Sequence, residues 1–137
     1  MVEPGECAAD AVVREVREET GIQSEVLQLV TFREAHFGEG STWQSGKTNI
    51  FLLFLLRPTS LEIQAQEEEI EDCKWIDLAE YWPKCEQRMK PGTLYHTMLR
   101  LACDAHEGKT SGFCHQDMQL GFRPGTNKLY FPINANS

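Results

Sequence analysis

The sequence predicts a single α/β domain, whose elements follow the order helix, strands, helix. The first observation is the segment Cys7–Thr20, where apolar and charged residues recur at helical spacing. The second is the apolar run Ile50–Leu56, which is typical of a strand buried on both faces. The third is a length of 137 residues with 41% hydrophobic and 25% charged residues, which is ordinary for one folded domain.

The first half of the chain predicts one helix and two strands. A turn at Glu3–Glu6 precedes the helix Cys7–Thr20, and Gly21 follows it where a C-cap is expected. Ser24–Arg33 predicts a strand, because apolar residues partly alternate with polar ones. A long glycine-rich loop follows, and Thr48–Leu56 then predicts a second strand that a proline ends.

The second half predicts shorter strands and one more helix. Leu61–Gln64 and Asp72–Ile76 are expected to be short strands. Gly92–His106 has apolar residues at helical spacing behind a threonine at the N-cap position. Residues 108–137 are expected to be a C-terminal extension of the domain, in which Leu129–Phe131 is the most strand-like piece.

Charge and cysteine usage limit the possible partners and the compartment. The net charge of −8 disfavours binding to nucleic acids or anionic membranes, so a polyanionic substrate would need a divalent cation as mediator. The longest apolar run is too short to cross a bilayer, and the N-terminus has neither signal-peptide nor transit-peptide character. Five cysteines without a C-x-x-C pair favour reduced thiols over disulfides or a zinc site. The sequence therefore predicts a cytoplasmic protein.

Acidic residues in and before the first helix form the most informative cluster. On a helix, Glu15, Glu18 and Glu19 point to one side, where three negative charges repel unless a cation neutralises them. Magnesium and manganese ions prefer such oxygen ligands and also bridge phosphates. Arg14 lies one turn before Glu18 and can pair with it, and Glu6 can fold back toward the same cluster. A solvated acidic helix face remains an alternative for the glutamates.

The full spacing of this segment resembles the Nudix box. E-x7-R-E-V-x-E-E-x-G-I, from Glu6 to Ile22, reproduces the box except for its opening glycine, which would lie one position before Met1. The resemblance implies an α/β/α sandwich with a mixed central sheet. It also implies that this chain is truncated and lacks the strands that precede the box in the family. Such a chain, expressed alone, is expected to be marginally stable or self-associating, with a homodimer among the possibilities, and to have little hydrolase activity.

The resemblance also implies an activity and roles for residues. Nudix enzymes hydrolyse nucleoside diphosphates linked to another group, with divalent metal ions, here expected to be Mg²⁺ or Mn²⁺. Glu18 and Glu19 correspond to metal ligands, Glu15 to a further ligand or the group that activates water, and Arg14 to its orienting partner. Glu6 would be an auxiliary ligand.

Residues outside the box extend the predicted site. E-I-x4-W resembles a family segment that contributes another metal ligand, so we expect this role of Glu69, with a solvated acidic loop as the alternative. Cationic and hydrogen-bonding side chains that flank the long loop could bind a diphosphate, and an aromatic ring could stack on a base. Ordinary packing roles remain open for all of these candidates, which are Arg33, His36, Lys47, Phe37 and Trp43.

Further motifs resemble one Nudix subgroup, from about Pro4 to Tyr81. They are F-R-E-A-H-F, G-K-T-N-I-F, L-R-P-T-S-L-E-I-Q-A-Q and C-K-W-I-D-L-A-E-Y. This subgroup contains the vertebrate Nudix protein encoded antisense to a fibroblast growth factor gene and plant enzymes that hydrolyse ADP-ribose and NADH. It therefore implies ADP-ribose or NADH as substrate. A catalytically silent Nudix-fold protein that binds a nucleotide or a protein partner remains the alternative.

Overall fold

A computed structural model describes residues 1–36, 48–64, 73–119 and 126–133 of the chain. Three helices and four strands are present in these ranges, and their order along the chain confirms the α/β class. The helices are α1 (Ala8–Thr20), α2 (Leu78–Arg88) and α3 (Leu94–His106). The strands are β1 (Ser24–His36), β2 (Thr48–Pro58), β3 (Phe113–Gln119) and β4 (Thr126–Pro132).

The four strands form one sheet in the order β2-β1-β3-β4. Every described pairing is antiparallel, so the parallel pairing that a mixed sheet requires is not found in the described part of the chain. For two of the three pairings the physical reason is that β1 and β2, like β3 and β4, are consecutive strands, which can pair antiparallel without a crossover helix. The register places Arg33 opposite Phe51 and Phe32 opposite Leu52.

Helix α1 confirms the first predicted helix almost residue for residue. Cys7 is its N-cap, so the helix begins one residue later than expected. Gly21 ends it in the left-handed region with φ 75°, and the Gly21 N–H donates to the Arg17 carbonyl at 2.9 Å. A Cβ atom at Gly21 would lie 2.8 Å from the Cβ of Gln64, so close packing also favours glycine here.

Two predicted short strands are not found in the described residues. Leu61–Gln64 does not form a strand, because its backbone bonds elsewhere: the Gln64 N–H donates to Thr20, and the Leu61 carbonyl accepts from the Trp75 indole. The prediction for Asp72–Ile76 is also wrong where the structure describes it, since residues 73–77 form no strand and Asp72 lies outside the described residues.

Sequence reasoning missed α2 and β3 and made β1 and β2 too short. Residues 73–77 lead into α2, where the Asp77 carboxylate accepts the Ala79 N–H at 2.8 Å as an N-cap. Strand β1 continues to His36, because its last residues pair with the first residues of β2. Helix α3 begins behind Thr93, as expected.

The buried apolar residues come from α1, β1, α2 and α3 and the turn after α1. They include Ala9, Ala11, Ile22, Leu29, Cys85, Met98, Cys103 and Ala105. All five cysteines are free thiols. Among the helices that the structure describes, none is long and apolar enough to span a membrane.

Candidate active site

The turn before α1 brings Glu6 against Arg14. Gly5 adopts φ 83°, which favours glycine, and the Glu6 N–H donates to the Glu3 carbonyl at 3.0 Å. This turn aims the Glu6 carboxylate at α1. Arg14 Nε donates to Glu6 Oε1 at 2.9 Å and Arg14 Nη2 to Glu6 Oε2 at 3.0 Å. The pair is therefore bidentate, the geometry in which a guanidinium binds a carboxylate most strongly.

The same guanidinium joins two glutamates of the helix. Arg14 Nη1 donates to Glu15 Oε1 and to Glu18 Oε2, both at 2.9 Å. Because one nitrogen contacts both oxygens, these oxygens are separated by no more than twice that distance. Helical spacing and a shared cation thus bring the carboxylates of Glu15 and Glu18 together, and Glu6 approaches from the preceding turn. We call Glu6, Arg14, Glu15 and Glu18 the box cluster.

The N-terminal residue also contacts the box cluster. The Met1 ammonium donates to Glu15 Oε1 at 2.6 Å, and the Met1 carbonyl accepts from Arg14 Nη2 at 2.9 Å. Glu15 Oε1 therefore accepts from two positively charged groups.

The cationic contacts shift the protonation equilibria of the box cluster. Hydrogen bonds from Arg14 and from the Glu3 N–H lower the pKa of Glu6 from 4.5 to about 2. The pKa of Glu15 is lowered by the Met1 ammonium first and by Arg14 second. Hydrogen bonding to Glu6, Glu15 and Glu18 raises the pKa of Arg14 further above its ordinary value. Glu6 and Glu15 are thus ionised at neutral pH, the form in which a carboxylate binds a metal ion.

The carboxylates of the box cluster have the right chemistry to bind a hard divalent cation, although the Arg14 guanidinium lies between them. Carboxylate oxygens are the ligands that Mg²⁺ and Mn²⁺ prefer. Glu19 is half-buried on α1 and makes no ion pair with the other described residues. Within the described ranges, no group of three or more His, Cys, Asp or Glu residues is arranged to hold a metal.

A cavity of about 630 Å³ opens beside the box cluster, between α1 and the strands β1 and β2. This volume is in the usual range for a small-molecule site. Glu15 lines the cavity from the helix and Arg33 from β1. The other lining residues are mostly apolar and include Ala8, Ala11, Val12, Ile50, Phe51, Leu52 and Phe54. The cavity therefore joins an acidic group and a cation on largely apolar walls.

Arg33 was a predicted substrate-binding residue, and the structure places it among aromatic rings. Its Cζ atom lies 5.3 Å from the ring centroid of Phe51 and 5.8 Å from that of Tyr95. Its Nε atom is buried and has no hydrogen-bond partner in the described part of the chain. Sequence reasoning missed Phe51 and Tyr95. The strand register would have revealed Phe51, whereas no sequence signal connects Tyr95 to Arg33.

The other predicted site residues lie at the limit of the described structure or beyond it. His36 is the last residue of β1 and pairs in register with Thr48, and its side chain is not described. Phe37, Trp43, Lys47 and Glu69 lie outside the described residues. Their assigned roles stay predictions.

Comparison with known proteins identifies the family of this arrangement. The model of a family described as the NUDIX domain matches residues 1–96. The chain belongs to the Nudix family. The box cluster and the residues that line the cavity all lie within the matched range. The predicted resemblance is thereby confirmed.

Similar curated proteins come from plants and from vertebrates, the two sources that the subgroup resemblance predicts. Nudix hydrolase 2 of Arabidopsis thaliana is 38% identical over 112 residues, which are 82% of this chain and 36% of the relative. Nucleoside diphosphate-linked moiety X motif 6 of Mus musculus is 42% identical over 78 residues, which are 57% of this chain and 24% of the relative. The chain thus spans about a quarter to a third of the length of these relatives.

Proposed function

We propose that the chain carries a divalent-metal-dependent hydrolase site that cleaves the diphosphate linkage of nucleoside diphosphate derivatives, with ADP-ribose or NADH as the favoured substrates. The observation that carries the proposal is the box cluster, in which one guanidinium joins Glu6, Glu15 and Glu18 beside a cavity of about 630 Å³. The relative from Arabidopsis thaliana bears the name Nudix hydrolase 2, which supports the same reaction class.

The acidic residues of the site are assigned to metal binding and to activation of water. Glu15, Glu18 and Glu19 would hold Mg²⁺ or Mn²⁺, with Glu6 and Glu69 as further ligands. Such an ion, when bound, would neutralise diphosphate charge and would ease the formation of hydroxide from water. Glu15 accepts the proton of the attacking water, and Arg14 orients Glu15 through the 2.9 Å hydrogen bond between them. Glu6 in turn fixes Arg14 through its bidentate pair.

The substrate side is assigned to Arg33 on the opposite wall and to residues that follow it in the sequence. Arg33 lines the cavity and offers guanidinium donors to the diphosphate, and His36 and Lys47 add polar or cationic groups. Phe37 or Trp43 stacks on the base.

We place the protein in the cytoplasm, in agreement with five free thiols. We also expect self-association at β2, where Ile50 is 62% exposed.

A metal titration tests the ligand assignment. Glu18→Gln and Glu19→Gln should each weaken Mn²⁺ binding measured by calorimetry, because each removes an anionic oxygen donor. Glu25→Gln is the matched control, since Glu25 lies outside the box and pairs with Arg57. Equal Mn²⁺ affinity of all three variants and the unmodified chain would contradict the assignment.

Product analysis tests the reaction. With Mg²⁺, hydrolysis of ADP-ribose should yield AMP and ribose 5-phosphate, and that of NADH should yield AMP and reduced nicotinamide mononucleotide. Glu15→Gln should lower kcat more than it raises KM, because its proposed work lies in the transition state. Release of phosphate from a monoester, or no cleavage in the presence of metal, would exclude this reaction.

One observation favours the second candidate function, a catalytically silent nucleotide-binding or protein-binding domain. Glu15 and Glu18 already share the Arg14 guanidinium. A cation of the protein thus occupies part of the coordination that a metal would use. This candidate predicts that ADP-ribose binds with the same affinity in Mg²⁺ and in EDTA and is not cleaved.

A further inference from the structure

Arg33, Phe51 and Tyr95, which we call the Arg33 cluster, converge from three separate elements. Arg33 lies on β1, and the antiparallel register puts it directly opposite Phe51 on β2. Tyr95 is the second residue of α3. Both ring centroids lie within 6 Å of the Arg33 Cζ atom, the distance at which a guanidinium is attracted to an aromatic face.

Burial in the core does not account for these rings. Tyr95 is 63% exposed and Phe51 is 48% exposed, so each leaves about half or more of its surface in solvent. Large exposed aromatic rings that contact a cation are typical of binding sites rather than of cores. The exposed position of Tyr95 is therefore better explained by its contact with Arg33 than by core packing.

Arg33 itself has spare hydrogen-bonding capacity beside the cavity. Its Nε–H is buried and has no partner among the described residues, although an unsatisfied buried donor is unfavourable. Arg33 lines the cavity that Glu15 also lines. An oxyanion bound there would lie between the acidic helix, where the metal is proposed to sit, and a guanidinium on the opposite wall.

We propose that Tyr95 and Phe51 are positioning residues that hold the Arg33 guanidinium for the diphosphate oxygens of the substrate. This inference rests on the proposed function. The fork of guanidinium N–H groups matches phosphate oxygens, whereas a base stacking on Arg33 would compete with the two rings. Tyr95 does not line the cavity in the described structure, so it acts through Arg33.

Binding of inorganic pyrophosphate, measured by calorimetry in EDTA, tests the inference without metal and without hydrolysis. Arg33→Ala should weaken pyrophosphate binding by about tenfold or more, because it removes charge-assisted hydrogen bonds. Tyr95→Leu should weaken it by about two- to fivefold, the loss of one cation–π contact, and Tyr95→Phe should keep it. Adenosine binding should change in neither Arg33→Ala nor Tyr95→Leu.

Phe32→Ala is the control, because Phe32 is 54% exposed, lies next to Arg33 and is opposite Leu52 rather than Phe51. It should leave pyrophosphate binding unchanged. Thermal melts of Tyr95→Leu and Phe32→Ala should agree with each other, since both replace exposed rings. A lower melting temperature for Tyr95→Leu with unchanged pyrophosphate affinity would show a structural role and overturn the inference.

The two proposals fail separately. Pyrophosphate binding that depends on Arg33 and Tyr95, in a chain that cleaves neither ADP-ribose nor NADH with metal present, would support the inference and contradict the proposed hydrolase. Cleavage of ADP-ribose with pyrophosphate affinity independent of Arg33 would overturn the inference alone. Absence of pyrophosphate binding by the unmodified chain, or loss of adenosine rather than pyrophosphate binding in Arg33→Ala, would also overturn it.

Discussion

The box cluster and the Arg33 cluster each contribute to one cavity, Glu15 from the first and Arg33 and Phe51 from the second, but they are built in different ways. The box cluster comes from one helix and the turn that precedes it, so its members are close in sequence. The Arg33 cluster needs the register of β1 with β2 and the position of α3. A local pattern therefore specifies the acidic wall of the cavity, whereas the tertiary fold specifies the cationic wall.

This difference predicts different responses to mutation. Helical spacing keeps Glu15 and Glu18 on one side of α1 wherever the helix forms. A shift of one residue between β1 and β2 would instead move Arg33 and Phe51 apart, because adjacent strand residues point to opposite faces. Substitutions within the box cluster should thus alter the geometry of that cluster alone. Substitutions that disturb the sheet should alter the geometry of the Arg33 cluster first.

The largest effect is expected from Arg14→Lys. Lysine keeps the charge but cannot bind Glu6 in a bidentate manner while also donating to Glu15 and Glu18. Loss of a residue that orients metal ligands lowers metal affinity or activity by about ten- to a hundredfold. Mn²⁺ titration and ADP-ribose kinetics would measure this loss.

Arg17→Lys is the matched control for Arg14→Lys, because Arg17 lies one turn further along the same helix and outside the box cluster. Its Mn²⁺ affinity should equal that of the unmodified chain. Pyrophosphate binding in EDTA should survive in both variants, since it depends on Arg33. If Arg14→Lys weakened pyrophosphate binding as strongly as Mn²⁺ binding, the two walls would not be independent.

A smaller effect is expected from Gly112→Ala, which disturbs the sheet. The Gly112 N–H donates to the buried Gln28 side chain at 2.6 Å, and an added Cβ would clash with the Leu29 backbone carbonyl on β1. Overpacking of this kind lowers the free energy of unfolding by about 1–3 kcal/mol. Leu29 lies on β1, the strand that also carries Arg33. Because pyrophosphate binding depends on Arg33, it should weaken more than Mn²⁺ binding.

Gly108→Ala is the comparison for Gly112→Ala. Gly108 has φ 72°, and a Cβ there would meet no atom within 4 Å, so only backbone strain of about 1 kcal/mol is expected. Urea unfolding of both variants would measure the difference. If Gly112→Ala lowered the free energy of unfolding no more than Gly108→Ala, β1 would be able to move away from Gly112 at little cost.

The parts of the fold that the sequence predicted are those with strong local signals. The alternation of charge and alanine or valine in α1 and the glycine that ends it were sufficient to predict that helix. Helix α2 was missed because Pro83 interrupts its pattern and polar residues occupy much of its length. Strand β3, F-C-H-Q-D-M-Q, has too little apolar alternation and is a strand through its pairing with β4.

The candidate site divides in the same way. Arg14, Glu15 and Glu18 follow from helical spacing, and the structure joins them by hydrogen bonds. The convergence of Tyr95 on Arg33 depends on how α3 packs against the sheet, which no local pattern encodes. The bidentate contact of Glu6 is intermediate, because it needs only the turn at Gly5 in addition to the helix.

The smallest expected effect is on the free energy of unfolding at acid pH. It shows whether the Glu6–Arg14 pair stabilises the box cluster. The pKa of Glu6 is about 2 in the folded chain against an ordinary value of 4.5, because Arg14 and the Glu3 N–H donate to the ionised carboxylate. A lowered folded-state pKa means that Glu6 contributes its stability above about pH 4.5, and that this contribution is lost as the pH falls toward 2. The free energy of unfolding should therefore decrease over that interval, and Glu6→Gln should make the decrease shallower. Urea unfolding at several pH values in this interval would measure it, with Glu86→Gln as control, since Glu86 lies 3.9 Å from its partner Arg100 rather than in a bidentate pair. A Glu6→Gln profile parallel to that of the unmodified chain would mean that the bidentate pair with Arg14 adds nothing to stability, and that the box cluster is held by the helix alone.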